Sequence, residues 1–373
     1  MSASNEVRFD LRLSLTELRK AIPIWGVENS TVILGEPGTA KSSLLNMIAE
    51  DNGDSWQAVG DECPDDKYDY IYVDCPLRDV MDFGSFVPDR DLKKLVYYVS
   101  ELLKPDSKKP KIVMLDELTK SFKIMMPMFT RLLLDKMWGE YRLPEGSYII
   151  ATGNDMSDGL GDSLLEHAGN RVTIVHVKKS DATEWGAWAA EKGLSRVLRA
   201  WVAMTPRCLA SYKDGGQENN PYIFMPAKKM LSFVSLRSLH KSDNIIKNSQ
   251  ILGQKITKAG LAGTLGISAA NDLCTFMEIE NEVVDTQAVI SDPEGIEVPE
   301  KIAAVCMMMV NAVDDLNTQD ELSAFMKFVD RIKSHEMQNL FFSMLCVNKR
   351  TIKLAQGNKS VQKWAKDNFD MLG

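Results

Sequence analysis

Five short apolar runs punctuate the first half of the chain: Thr31–Leu34, Tyr70–Val73, Ile112–Leu115, Tyr148–Thr152 and Val172–Val177. They are nearly continuous in apolar character rather than alternating, which is the pattern of strands covered on both faces. Helical patterns lie between them, so the spacing predicts crossover units and a parallel sheet with helices on both faces. A short strand at Val7-Arg8-Phe9 and a helix around Leu15–Ala21 are expected to lead into it. At Lys178-Lys179-Ser180-Asp181 the rhythm breaks. Beyond it helical periodicity dominates, over Glu184–Glu191, Arg196–Met204, Leu231–His240, Asp243–Leu252, Ile256–Leu265, Ala269–Met277, Pro299–Ala312 and Glu321–Ile332. The predicted division is a lead-in at 1–30, an α/β domain at 31–178, a helical domain at 179–290 and a helical extension at 291–373. Turn formers cluster at 214–221 and 291–295, which read as surface loops.

The first apolar run ends on Gly35-Glu36-Pro37-Gly38-Thr39-Ala40-Lys41-Ser42, and a segment with helical spacing (Leu44, Leu45, Ile48) follows. Strand, glycine-rich turn and helix is the setting in which such a loop binds nucleotide phosphates. Backbone N–H groups and the positive end of the helix would surround the anion. Lys41 would reach the β/γ-phosphates and Ser42 would hold Mg²⁺, with Ser43 completing the binding set. The strict pattern asks for glycine at position 40, where this chain has Ala40. Taken alone, the loop could also be an ordinary Gly/Pro turn.

Two more strand ends carry polar groups. The run Ile112–Leu115 ends on Asp116-Glu117, at the edge where α/β sheets bind ligands. Beside a phosphate loop, Asp116 can hold Mg²⁺ through water and Glu117 can orient or deprotonate the attacking water. An Asp-Glu pair also begins many solvated loops. The run Tyr148–Thr152 ends on Gly153-Asn154. Asn154 could bond the γ-phosphate or the lytic water if this strand lies between the other two; otherwise Gly-Asn is turn chemistry.

Composition narrows the field. The chain has 373 residues, 45% of them hydrophobic, long enough for two or three units. No stretch of eighteen or more apolar residues appears, and the N-terminus lacks the basic and apolar regions of a signal peptide. A net charge of −8 argues against a broad nucleic-acid surface. The six cysteines are scattered, with no CxxC and no ligand-spaced His, which favours free thiols in a reducing cytoplasm over disulfides or a metal site. The run Cys306-Met307-Met308-Met309 reads as helix core or an adaptable interface.

Together these residues resemble the AAA+ ATPases, and within them the MoxR-like group. Gly35–Ser42 resembles the Walker A loop in the form that group often uses, so Ala40 looks like a mark of the subgroup. Ile112–Glu117 resembles Walker B, and Asn154 sensor 1. Leu164–Arg171 resembles the segment ending in the arginine finger, which makes Arg171 the candidate, with a helix-end salt bridge as its ordinary alternative. Residues 135–144 look like the hairpin inserted in helix 2 of the group. Ser235-Leu236-Arg237-Ser238 resembles the sensor 2 region, although the commoner wording has proline where Leu236 stands; a solvated lid arginine is the alternative for Arg237. The resemblance spans roughly residues 15–290, most closely up to 178, and residues 330–373 carry no recognised pattern. It implies an AAA+ P-loop domain with a five-stranded parallel sheet and a helical lid, hydrolysing ATP with Mg²⁺ in a cytoplasmic homo-oligomeric ring, a hexamer. Its catalytic residues would be Glu117, Asn154, Arg171 and Arg237. The client or adaptor would be a protein, in this group often one with a von Willebrand factor A domain. A slow ATP-dependent assembly switch or scaffold is the alternative, and a DNA-acting ATPase ranks below both.

Overall fold

The computed structural model describes residues 11–54, 66–154, 170–348 and 350–368; the expected strand at 7–9 lies outside them. In chain order the strands are β1 (Thr31–Leu34), β2 (Asp69–Asp74), β3 (Gly84–Asp89), β4 (Lys94–Val99), β5 (Lys111–Asp116), β6 (Met137–Trp138), β7 (Tyr141–Arg142), β8 (Tyr148–Gly153) and β9 (Thr173–His176). Five of them form a parallel sheet in the order β2-β5-β8-β1-β9. Every residue of β1, β5 and β8 is buried, as their continuous apolar sequences require.

Alternation along these strands builds two cores. Val113, Leu115, Ile149 and Ala151 face one side and pack with Phe129 and Leu132 of α3 (Met126–Asp135). Ile112, Met114, Tyr148 and Ile150 face the other, against Leu18 and Ile22 of α1 (Leu15–Trp25) and Leu44, Leu45 and Ile48 of α2 (Leu44–Asn52). The sheet is therefore covered by helices on both faces. A capping box starts α1: the Glu17 N–H donates to Ser14 Oγ (3.2 Å), and the Ser14 N–H donates to Glu17 Oε2 (2.7 Å).

Two hairpins interrupt the crossovers. The 135–144 segment contains β6–β7, and its Trp138 is fully buried, stacked on Phe83 at 3.7 Å. The second, β3–β4, was not expected from the sequence. It holds Phe86, Leu92, Leu95 and Tyr98 exposed.

One charge sits inside an apparently apolar run. Lys111 is fully buried at the start of β5; its Nζ lies 2.8 Å from Asp69 Oδ2 and also donates to the carbonyls of Lys104 and Ser107. Removing one member of a buried pair strands the other charge, so Asp69→Ala should destabilise the protein by about 3–5 kcal/mol in urea unfolding. A change under 1 kcal/mol would show that the carbonyls alone suffice.

The chain divides into two compact units, Met1–Lys179 and Ser180–Gly373. The second is helical: α4 (Ala182–Glu191), α5 (Arg196–Met204), α6 (Leu236–Lys247), α7 (Ser249–Leu265), α8 (Ile267–Glu278), α9 (Thr286–Ser291), α10 (Ile302–Asp315), α11 (Gln319–Val329), α12 (His335–Val347), α13 (Thr351–Gly357) and α14 (Lys359–Asp367). Helix α6 starts later than the periodicity from Leu231 implied, because Ser235 caps it, accepting from the Ser238 N–H (3.1 Å). The run Cys306–Met309 is buried within α10, which packs on α5. Among the described residues no helix is long and apolar enough to cross a membrane.

Candidate active site

The phosphate-type loop leaves β1 through a close approach. A Cβ on Gly35 would lie 2.2 Å from Val177 Cγ1, so only glycine fits there. Gly38 has φ +81°, and Ala40 adopts φ +61° and ψ +26°. Ala40 therefore takes the left-handed backbone that glycine would adopt freely, at a cost of roughly 1–2 kcal/mol. The chain then forms a short 3₁₀ turn over Lys41–Ser43 that runs into α2. Glu36 and Thr39 are buried, Pro37, Gly38 and Ser42 half-buried, and Ser43 Oγ donates to the Ala40 carbonyl (2.7 Å).

Lys41 is buried and turned into this loop. Its Nζ donates to the carbonyls of Gly35 and Glu36, both at 2.9 Å, to Thr39 Oγ1 at 3.3 Å and to Asn154 Oδ1 at 3.4 Å. The last contact joins two elements 113 residues apart. It exists because β8 lies beside β1, with Gly153 opposite Leu34, and because β8 separates β1 from β5. The condition set for Asn154 in the sequence is thus met in the fold.

The acidic strand end is held by neighbours that the sequence did not reveal. Asp116 is buried; it accepts from Tyr72 OH at 2.6 Å and from Thr152 Oγ1. Thr152 Oγ1 in turn accepts from the Glu117 N–H at 3.0 Å. Glu117 has φ +52°, so Thr152 secures a residue in left-handed backbone as well as the adjacent carboxylate. Glu117 Oε1 is paired with Lys120 Nζ at 2.8 Å, both half-exposed. Asp74 stands opposite Asp116 across β2–β5. Partial burial and the carboxylates of Asp116 and Glu117 push Asp74 above the usual carboxylate range. Its signal was available, since the run Tyr70–Val73 ends on an Asp as the run Ile112–Leu115 does. Tyr72 and Thr152 gave none, because their roles depend on strand order.

Thr152→Val removes the bridge between Asp116 and the Glu117 N–H. We expect a loss of about 1–3 kcal/mol in unfolding free energy, recovered by Thr152→Ser. Equal stability of the Val and Ser variants would contradict the bridge.

A Mg²⁺ ion would fit this donor set. Asp116 and Ser42 offer hard oxygen atoms, and Mg²⁺ beside phosphates commonly takes one or two protein oxygens and completes its shell with phosphate and water. Among the described residues no group of three or more His, Cys, Asp or Glu could hold a metal alone.

Two predicted residues stand apart. Arg171 is exposed just ahead of β9, where the Thr173 N–H donates to the Ser30 carbonyl (2.9 Å). That is the amino edge of the sheet, whereas the loop leaves its carboxyl edge, about 13 Å away by strand rise over β1. Residues 164–169 of the same motif lie outside the described residues. Arg237 is exposed in the first turn of α6, in the second unit.

Loop, acidic strand end and polar tip lie on a parallel sheet ordered β2-β5-β8-β1-β9 that is followed by a helical unit, an α/β fold with a P-loop type of turn after β1. No protein-family model matches the chain, and no curated protein matches it. Among solved structures, Cdc6p from Pyrobaculum aerophilum is 12% identical, covering 98% of this chain and 97% of that one at a TM-score of 0.39. NtrX from Brucella abortus in complex with ADP is 13% identical, over 94% and 67%, at 0.35. A mutant RuvB of Thermotoga maritima is 12% identical, over 83% and 85%, at 0.34. These likenesses are loose, and the α/β fold is established by the chain's own strand order.

Proposed function

We propose that this protein is an ATPase of the AAA+ class and MoxR type, which uses the ATP cycle as a chaperone-like remodeller or activator of a partner protein. The observation that carries the reading is the contact of Lys41 Nζ with Asn154 Oδ1 at 3.4 Å. It brings the phosphate loop and the central strand tip together, next to the strand that ends in Asp116-Glu117.

Phosphoryl transfer needs positioning and charge neutralisation far more than covalent chemistry. Residues Gly35–Ser43 would cradle the phosphates with backbone N–H groups. Lys41 would exchange its loop carbonyls for β/γ oxygens. Bound Mg²⁺, held by Ser42 and Asp116, would supply further neutralisation of those oxygens. Glu117 would take the proton of the attacking water, and Asn154 would orient it. Arg171, remote from its own loop, would serve the ATP of a neighbouring subunit, making the active form a homo-oligomeric ring, a hexamer. Arg237 would report nucleotide state from the lid. The expected location is cytoplasmic, and the partner a client or adaptor, of which one bearing a von Willebrand factor A domain is the first to test.

One observation favours a second reading, a slow ATP-dependent assembly switch. Glu117 is engaged by Lys120, and a base held in an ion pair turns over slowly until released. ATPase rate measured against protein concentration separates the two. The motor reading expects turnover that climbs as the ring assembles; rates near background in assembled rings favour the switch.

A further inference from the structure

Charge is segregated within the helical unit. Between residues 278 and 300 the chain carries eight Asp and Glu and no Lys, Arg or His. Between 349 and 366 it carries six Lys and Arg and no Asp or Glu. Both segments are separate from the phosphate loop and its strand neighbours, which belong to the first unit.

Helix α14 arranges the basic segment. Lys359, Lys363 and Lys366 recur at i, i+4 and i+7, so they form one stripe about 10 Å long by helical rise. All three are exposed, while Val361 and Trp364, on the opposite side of the helix, are buried. The acidic segment is held as firmly. Arg331 Nη1 donates to the carbonyls of Pro293 and Ile296, both at 2.8 Å. This contact fixes the loop by its backbone and leaves the carboxylates of Glu294, Glu297 and Glu300 exposed.

One turn ties the two segments together. Residues 329–332, at the end of α11, hold the acidic loop through Arg331. They hold α14 through Gln338, whose Nε2 donates to the carbonyls of Val329 (3.1 Å) and Ile332 (2.9 Å) and whose Oε1 accepts from Trp364 Nε1 (3.4 Å). A basic stripe and an acidic loop therefore flank the same turn. Among the described residues, neither the three lysines nor Glu294, Glu297 and Glu300 form a salt bridge within the chain, whereas Glu282 pairs with Lys301.

We infer that this surface binds a second copy of the chain, with the lysine stripe of each copy set on the acidic loop of the other. Neighbouring patches of opposite sign are self-complementary about a two-fold axis, where each contact is made twice. A nucleic acid or an acidic peptide fits less well. Laid along the stripe, a polyanion meets the carboxylates beside it and a chain of net charge −8. The contact is made of exposed charges, so it weakens with salt, and it needs no nucleotide.

Zero-length carbodiimide cross-linking of the full chain without nucleotide tests this, on an equal mixture of ¹⁴N- and ¹⁵N-labelled protein. The reagent joins an amine to a carboxylate in contact with it, and a light–heavy link is necessarily between copies. The expected result is light–heavy links between segments 359–366 and 294–300 at about 50 mM NaCl. They should fall at least tenfold at about 500 mM, where the Debye length is ~4 Å. Two triple variants exchange the charges: Lys359→Glu/Lys363→Glu/Lys366→Glu, and Glu294→Lys/Glu297→Lys/Glu300→Lys. Neither alone should form the link, and their mixture should restore it. Should either variant fail to fold, the salt series on the wild-type chain decides. The inference is overturned if the wild-type chain gives no such link, if salt leaves the links unchanged, or if the mixture of folded variants forms none. Binding of a DNA duplex by the three lysines in place of the link also overturns it and assigns the stripe to a polyanion.

Discussion

Glu117→Gln should bind ATP as the wild-type protein does and lose its turnover by at least about 10²-fold, the lower range of general-base contributions. The substitution keeps the shape and both hydrogen-bonding ends of the side chain but not its basicity. The backbone that places it is independent of the carboxylate, because the Glu117 N–H is held by Thr152. It also dissolves the ion pair with Lys120, so loss of activity could not be blamed on that restraint. Lys120→Ala provides the complementary test: if the pair slows turnover, freeing Glu117 should raise the rate. Stopped-assay phosphate release together with binding of a fluorescent ATP analogue measures both quantities. A Glu117→Gln protein that hydrolyses ATP normally would remove Glu117 from the mechanism.

Arg171→Ala should depress turnover by about 10³–10⁵, by analogy with arginines supplied to GTPases in trans, while leaving nucleotide affinity nearly intact. The separation of Arg171 from its own loop, at opposite edges of the sheet, leaves action on another copy as the remaining route to a phosphate. Mixing makes that explicit. An Arg171→Ala subunit keeps a complete phosphate site, and a Lys41→Ala subunit keeps the arginine. Rings containing both should regain a fraction of wild-type turnover that neither variant shows alone. If no mixing ratio restores activity although mixed rings form, the in-trans role fails and Arg171 returns to an ordinary surface arginine.

The sequence spoke most clearly where burial is two-sided. β1 and β5 are written as near-continuous apolar runs because both faces of the sheet are covered, and the charged residues of β5, Lys111 and Asp116, stand at its ends with partners. The polar residues at their carboxyl ends therefore stood out. The hairpin β3–β4 was silent for the opposite reason. Much of it faces water, with Phe86, Leu92, Leu95 and Tyr98 exposed. Pro88 and the charged segment Asp89–Lys94 break its pattern, and Tyr97 and Val99 reach the core from one strand. The start of α6 was misplaced because Leu231 continued a helical spacing, whereas the cap at Ser235 decides where the helix begins. Ala40 and Glu117 share a further kind of silence: left-handed backbone is legible in sequence mainly through glycine, and neither is one. Tyr72 and Thr152 belong to the site through strand neighbours, and neighbours are set by sheet order rather than by proximity along the chain, whereas Asp74 was legible as the end of its own apolar run. Arg171 and Arg237 were singled out by resemblance, and the mixtures described above test the first of them.

The most direct measurement is calorimetric titration of the wild-type chain with ATP in the presence of Mg²⁺, alongside Lys41→Ala. One ATP per chain should bind the wild-type protein, and Lys41→Ala should weaken that binding at least tenfold. If the wild-type chain binds no nucleotide, or if Lys41→Ala binds ATP as tightly, then Gly35–Ser42 is a turn and not a phosphate site.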